Sequence, residues 1–342
     1  MGKLPTTQLL ALLNCLKPTA EIVVPPRPGF DSGVHRIGKD RYLVVSTDPC
    51  IGVPREWFGW LLVHYSASDV ALFGAEPRYL SLNLLGPPGT KFESYRSVMR
   101  QACAAAAELD ATIVTGHTGS YDGLSCLVGT CTAYGFVNSK QLITPDGSKP
   151  GDLILCTKPL GLEVLINLAL TRRTLANRLF GANRALQLAR MIKMQSCVKE
   201  ALLLAKHDGV HAMHDATEGG IVAALNEMAD TSGLGFTIDF AKLPIAAEAV
   251  ILAEKRDLTI QELMAMSSTG TMLAAISPRS SESALKVLSK MRLKPSIIGR
   301  FTRIRRRCLT TQSKTRHFPI TAEDPYAKIL SDWMELAVPP SA

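Results

Sequence analysis

The sequence has no run of eighteen apolar residues, the length a helix needs to cross a bilayer, so no membrane-spanning helix and no membrane partner are expected. It has no C-x-x-C pair. Its eight cysteines, at 15, 50, 103, 126, 131, 156, 197 and 308, are scattered without a His partner at metal spacing. That pattern excludes a zinc ribbon or a disulfide scaffold and predicts reduced, mostly buried thiols in a cytoplasmic protein. Cys126 and Cys131 lie on one apolar run whose alternation puts them on opposite strand faces, so no bridge between them is expected. Acidic residues are missing from one long stretch: between Ser283 and Arg316 there are eleven Lys or Arg and no Asp or Glu, and the net charge of +8 comes from there. Arg303-Ile304-Arg305-Arg306-Arg307 has only Phe301 as a neighbouring ring and no recognised binding module around it. It therefore reads as a solvated basic face, and nucleic acid is not an expected partner. Low-complexity segments are absent as well.

What is present is a core-forming chain. With 342 residues, 46% hydrophobic and 20% charged, it has the length of two ordinary domains. A first helix (9–16) and the stiff connector Pro25-Pro26-Arg27-Pro28-Gly29 precede two strands, 30–37 and 42–48, joined by a turn at Gly38-Lys39-Asp40. If these strands pair antiparallel, Asp31 and Asp48 lie at one edge of the sheet, and two carboxylates so placed need a metal or solvent between them. An amphipathic helix follows over 57–75 with Ser66, Ser68 and Asp69 on a narrow polar arc. Then come a strand (79–85), an alanine-rich helix (95–109), a buried strand (111–119) running into the Gly-punctuated loop Gly116-His117-Thr118-Gly119, and a strand (124–137). Lys149-Pro150-Gly151-Asp152 marks the domain boundary. Beyond it the pattern predicts helices at 160–170, 182–207, 221–232, 260–264 and 281–290, and strands at 153–156, 235–239, 271–276 and 296–299. The domains are expected at 1–148 and 149–318, with a tail at 319–342.

The stretch richest in chemistry is Met213-His214-Asp215-Ala216-Thr217-Glu218-Gly219-Gly220, followed by Ile221, Val222, Leu225, Met228 and Ala229 at helical spacing. Two glycines at a helix start permit close approach of another group, and the open amides and dipole of the first turn favour an anion. Asp215 and Glu218 would repel that anion unless a hard cation sat between them, which Mg²⁺ with phosphate oxygens supplies. The same residues also fit an N-capped helix with Asp or Thr as cap and glycines in a tight turn. The local pattern leaves both readings open.

Taken in order, Ser46-Thr47-Asp48, the segment from His64 to Leu80 with Ser68-Asp69 and Gly74-Ala75-Glu76-Pro77-Arg78-Tyr79-Leu80, Thr115-Gly116-His117-Thr118, Lys149-Pro150-Gly151-Asp152 and His214-Asp215-Ala216-Thr217-Glu218-Gly219-Gly220 resemble the AIR synthase-related superfamily. Within it they resemble the HypE branch that serves hydrogenase maturation. The likeness covers roughly 30 to 305. It implies a two-domain PurM-like α/β (α+β) fold, with the N-terminal sheet forming a barrel across a homodimer and a C-terminal α/β domain. It implies ATP, with Mg²⁺ held by Asp31, Asp48, Asp69 and Asp215, and Ser68, Gly116, His117, Thr118, Thr217, Gly219 and Gly220 as further nucleotide contacts. The implied chemistry is transfer of the γ-phosphoryl group to an oxygen, work done by positioning and charge neutralisation. A maturation-type protein partner is also implied.

Three departures stand inside this likeness. His117 replaces an acid, Ser68 replaces Asn, and Glu218 stands where the HypE branch has Arg. That branch also ends in a cysteine, whereas this sequence ends Val338-Pro339-Pro340-Ser341-Ala342 with Cys308 its last thiol, so carbamoyl dehydration on its own C-terminus is not expected. Cys15 lacks the Gly-rich context of the reactive residue in selenophosphate relatives. Two readings are carried forward: an ATP- and Mg²⁺-dependent enzyme with an unidentified acceptor, and a nucleotide- or partner-binding scaffold that has lost turnover. His64 and His214 read as structural; His117 remains open between a ligand contact and a loop hydrogen bond.

Overall fold

The structure is a computed structural model that describes residues 4, 6–312, 314–321 and 323–331. Of the segment expected as a tail, 332–342 lie outside the described residues, and with them the Val338–Ala342 end. Two compact units form, each around its own sheet: Pro5–Thr144 with Ser196–Asp208, and Pro145–Gln195 with Gly209 onward.

In the N-terminal unit, helix α1 (Thr6–Leu13) buries none of its residues. Strands β1 (Ile22–Val24), β2 (Gly33–Arg36) and β3 (Arg41–Cys50) are followed by α2 (Phe58–Leu72), β4 (Glu76–Gly86), α3 (Phe92–Glu108), β5 (Thr112–Ser120) and β6 (Val128–Asn138). The sheet order is β1-β2-β3-β6-β4-β5, antiparallel except for the parallel β4–β5 pair. Strict alternation along β6 and most of β4 turns Leu80, Leu82, Leu84, Cys131 and Ala133 inward onto α2. Burying each leucine there contributes about 1.5–3 kcal/mol. Helix α2 itself is buried on nearly every side, Ser66, Ser68 and Asp69 included. The narrow polar arc thus lies inside the protein, where each polar group must find a partner.

The C-terminal unit opens with β7 (Leu153–Cys156), α4 (Leu162–Thr171), α5 (Arg173–Phe180) and α6 (Ala182–Arg190). The single helix expected over 182–207 is broken: after a short 3₁₀ turn at Ile192–Gln195 the chain restarts as α7 (Val198–Ala205), which belongs to the N-terminal unit and packs on α2. The break is fixed by Ser196, whose hydroxyl meets His64 Nδ1 at 2.8 Å and the Val198 amide at 3.4 Å. Then follow β8 (Val210–Asp215), α8 (Gly220–Ser232), β9 (Gly235–Asp239), α9 (Ala247–Lys255), α10 (Ile260–Ala265), β10 (Met272–Ile276), α11 (Ser281–Lys290), β11 (Ser296–Thr302), β12 (Arg307–Thr310), β13 (Thr315–His317) and α12 (Tyr326–Ser331). The sheet order is β13-β12-β9-β11-β7-β10-β8. One core lies between this sheet and α8, with Ile221, Leu225, Phe236, Phe301 and Phe318; a second joins α4, α5, α6 and α9 around Leu165, Leu168, Leu188 and Leu252. Ile329 of α12 is buried in the second core, so the start of the expected tail is part of this unit.

Candidate functional site

Ser46 on β3 points at α2, and its hydroxyl donates to Asp69 Oδ2 at 2.8 Å while lying 3.5 Å from Asp48 Oδ2. Two carboxylates 21 residues apart thus converge on one hydroxyl, which has a single proton to give. Ser46 and Asp69 are 2% and 6% exposed, so little water screens them. Such a donor set, carboxylate oxygens with a hydroxyl, suits a hard divalent cation. The effect of Asp48 reaches its cross-strand partner Cys131: burial, with the Asp48 charge adding to it, pushes that thiol to about 12 and leaves it unreactive. The antiparallel pairing expected for β2 and β3 holds, with Gly33 opposite Val45; Asp31 lies in the bend two residues before β2. Ser68 has a bond of its own, its hydroxyl accepting from the Cys197 amide at 3.3 Å and so tying α7 to α2.

The strand expected over 111–119 is present, but it is largely exposed rather than buried, and it continues through the Gly-punctuated stretch read as a loop. Gly116, His117 and Thr118 all lie within β5, paired in parallel with Leu82, Asn83 and Leu84 of β4, on the exposed edge of the sheet. A Cβ at Gly116 would sit 2.1 Å from the Leu82 carbonyl, so the close approach of β4 accounts for that glycine. His117 hydrogen-bonds the Tyr121 hydroxyl.

In the C-terminal unit, β8 is a fully buried strand at its Asp215 end; it escaped the sequence pattern because burial on both faces removes alternation. Asp215 stands opposite Met272 of β10 and is 3% exposed. His214 is buried beside it, with Nε2 3.0 Å from Glu227 on α8. Thr217 accepts from the Gly220 amide at 2.9 Å, closing the turn into α8, and Gly219 takes the left-handed N-cap conformation, φ 79°. Gly220, φ 55°, is wedged so tightly against α10 that a Cβ would lie 2.5 Å from the Met264 carbonyl.

Two family models match successive stretches of this chain. A model described as the AIR synthase related protein N-terminal domain matches residues 29–137, and its C-terminal counterpart matches 149–306. This chain belongs to the AIR synthase related family. It is similar to the carbamoyl dehydratase HypE of Cupriavidus necator, 29% identical over 64% of this chain and 62% of that protein. It is similar, too, to the selenide, water dikinase of Caldanaerobacter subterraneus, 29% identical over 66% of this chain and 62% of that one. The chain thus spans slightly less than two thirds of each of these relatives. Among solved structures, the hydrogenase maturation protein HypE in complex with ATP matches with a TM-score of 0.71 at 21% identity, covering 92% of this chain and 91% of that one. A ThiL protein complexed with AMPPCP and TMP matches with a TM-score of 0.70 at 18% identity, over 91% and 96%. The fold is therefore the two-domain mixed α/β PurM-like fold, with one sheet in each domain.

In this AIR synthase related chain the seat read at Gly219-Gly220 holds an anion already, and it is the protein's own. The Gly219 amide donates to Asp324 Oδ2 at 3.2 Å, the Ser267 hydroxyl donates to the same oxygen, and Asp324 Oδ1 takes the Tyr326 amide at 2.9 Å. Next to it, Thr269 donates to Glu163 in the first turn of α4. Burial raises the Glu163 carboxyl to about 7; the Thr269 bond opposes the rise, and the charges of Asp324 and Glu218 add to it. Asp324 lay in the expected tail and was missed. The signal that would have found it is Asp324-Pro325 directly before α12, a helix-start pattern with the acid at a capping position.

The basic segment is partly structural. Arg307 pairs with Asp230 and donates to Asn226 at 2.6 Å, and Arg305 donates to the Gly233 carbonyl at 3.0 Å beyond the end of α8. Arg303 and Arg306 remain on the surface, in keeping with a solvated face. Among the described residues no helix is long and apolar enough to cross a membrane.

Proposed function

We propose that this protein is an ATP- and Mg²⁺-dependent phosphoryl-transfer enzyme acting on an oxygen of a small acceptor or a protein group. The observation that carries the reading is the convergence of Asp48 and Asp69 on Ser46, inside a fold whose neighbours include a HypE complexed with ATP and a ThiL complexed with AMPPCP. Asp48 and Asp69 would hold the metal, with Asp31 and Asp215 as the remaining ligands implied by the family likeness. Bound Mg²⁺ would neutralise charge on the triphosphate. The chain's own share is to fix carboxylates and exclude water: Ser46 positions both acids, and the packing of α2 against β3 and α7 keeps them from moving apart. In the transfer, a bond forms from the acceptor oxygen to the γ-phosphorus as the bridging bond to ADP breaks, ADP keeping the electron pair and the acceptor proton passing to solvent.

The half-exposed outer face of the N-terminal sheet, with Tyr79 44% and Val114 54% exposed, supports the homodimer expected from the family, with a barrel formed from two such sheets. The HypE likeness supports a maturation-type partner. A second reading, a binding scaffold that has lost turnover, is favoured by one observation: Asp324 fills the Gly219 seat, with Glu163 and Glu218 beside it.

Thermal-shift measurement with ATP, with and without Mg²⁺, tests the first reading. At one hundred times Kd the ligand adds about 2.7 kcal/mol, and Asp48→Asn and Asp215→Asn should each abolish that gain while leaving the unliganded melt in place. Parent-like responses from both variants would remove the assigned ligands. Single-turnover ATP hydrolysis then separates enzyme from scaffold, stoichiometric binding without phosphate release favouring the latter.

A further inference from the structure

The N-terminal unit contains an open cavity of about 660 Å³ that neither the nucleotide reading nor the family likeness uses. It lies where β3 has ended at Cys50, β4 at Gly86 and β6 has yet to begin at Val128, so the loops at 51–55, 87–91 and 125–127 form its walls and the first turns of α2 and α3 close it. Its floor is apolar: Phe58 and Val98 are buried, and Leu127 is half-buried. Its rim carries Arg55 and Lys91, both exposed, and neither forms an ion pair among the described residues. The one acid at the rim, Glu93, is already paired with Arg96 and Arg100. The rim charges left without an ion pair among the described residues are therefore both positive, and the N-terminal end of the seventeen-residue α3 has the same sign. Ser94 and Ser97 line the same wall with hydroxyl donors.

The arrangement is held in place. Gln101 of α3 accepts from the Gly59 amide at 2.8 Å and donates to the Arg55 carbonyl at 3.1 Å, so one side chain fastens the turn that carries Arg55 to the helix that carries Ser94 and Ser97. Cations over an apolar floor select a ligand with an anionic end and an apolar body. The cavity also lies at the Asp48 end of the sheet: the rim residue Gly52 is four residues from Asp48 and two beyond the end of β3, a separation of at most about 13 Å even for a fully extended chain.

We infer that this cavity is the anchoring site for the phosphoryl acceptor, and that the acceptor is a small organic anion, a phosphate monoester or carboxylate on an apolar body. The inference rests on the phosphoryl-transfer reading above, and two kinds of titration keep the two apart. Phenyl phosphate, titrated calorimetrically into the full-length protein, should bind more tightly than inorganic phosphate, because only phenyl phosphate reaches the floor. The double variant Arg55→Ala/Lys91→Ala, altered only at exposed side chains, should bind phenyl phosphate at least tenfold more weakly and keep the ATP–Mg²⁺ thermal shift. Prior saturation with ATP and Mg²⁺ should change phenyl phosphate affinity less than threefold. No binding of phenyl phosphate, equal binding by the double variant, or displacement by ATP would each overturn the assignment. Binding of phenyl phosphate in a protein that shows no ATP shift would remove the nucleotide reading and the acceptor role with it, and leave an anion site in the cavity.

Discussion

Replacing Glu163 by Gln should remove that residue's contribution to the pH dependence of stability between about pH 4.5 and 7. In the folded chain this carboxyl is raised from its ordinary 4.5 to about 7, chiefly by burial, with Asp324 and Glu218 adding negative charge nearby. A folded-state pKa above the unfolded one means that the native state holds the proton more tightly. The stabilisation tied to that proton is complete below about pH 4.5 and is lost as pH rises through about 7. A rise of this size corresponds to about 3 kcal/mol, a ceiling because the Glu163 side chain, though its carboxyl is enclosed, keeps some contact with solvent. Glutamine keeps the shape and keeps an oxygen to accept from Thr269, so the variant forfeits little at low pH and never meets the cost of a buried charge at high pH. The expected result is near-equal stability at pH 5 and a gain of about 1–3 kcal/mol at pH 8, or about 2–10 °C in the melting temperature for a unit of this size. Calorimetric melts at pH 5, 6, 7 and 8 measure it. A variant that keeps the parent's slope, or that is less stable at pH 8 by the same margin as at pH 5, would refute the reasoning.

Other outcomes follow from the same neighbourhood. Gly220→Ala places a Cβ 2.5 Å from the Met264 carbonyl at a φ of 55°; strain and overpacking together should cost about 2–5 kcal/mol, and a melt within 2 °C of the parent would show that the glycine is not required by packing. Asp324→Asn weakens a charged bond at the start of α8 and should cost about 1 kcal/mol without ligand. The same change should enlarge the ATP–Mg²⁺ shift if Asp324 competes with phosphate for the Gly219 amide; an unchanged shift would separate this seat from the nucleotide.

How much of this was legible beforehand differs from element to element. β3, α3, β7 and α8 were read close to their observed limits because their neighbours in sequence carry a clean period, and Gly38-Lys39-Asp40 correctly predicted the β2–β3 pairing. α2 was found as an amphipathic helix, whereas it is buried on nearly every side; a few clustered small polar residues give such a helix the look of amphipathicity. β8 was lost for the opposite reason, since a strand buried on both faces has no alternation to read; β5 was found over nearly its whole length, but its apolar run looked buried and lies at an exposed edge.

The sequence by itself determined the family, the order of its motifs and the two-domain fold, because those are written in local spacing and in short patterns that survive without contacts. Only the tertiary structure decided which groups meet. Ser46 reaches Asp69 across 23 residues and Asp324 reaches Gly219 across 105, and a carboxylate near the end of the chain ends up on amides that looked reserved for phosphate. Such pairings depend on how sheet, helix and terminal segment pack together. A pattern confined to neighbours in sequence holds no record of that.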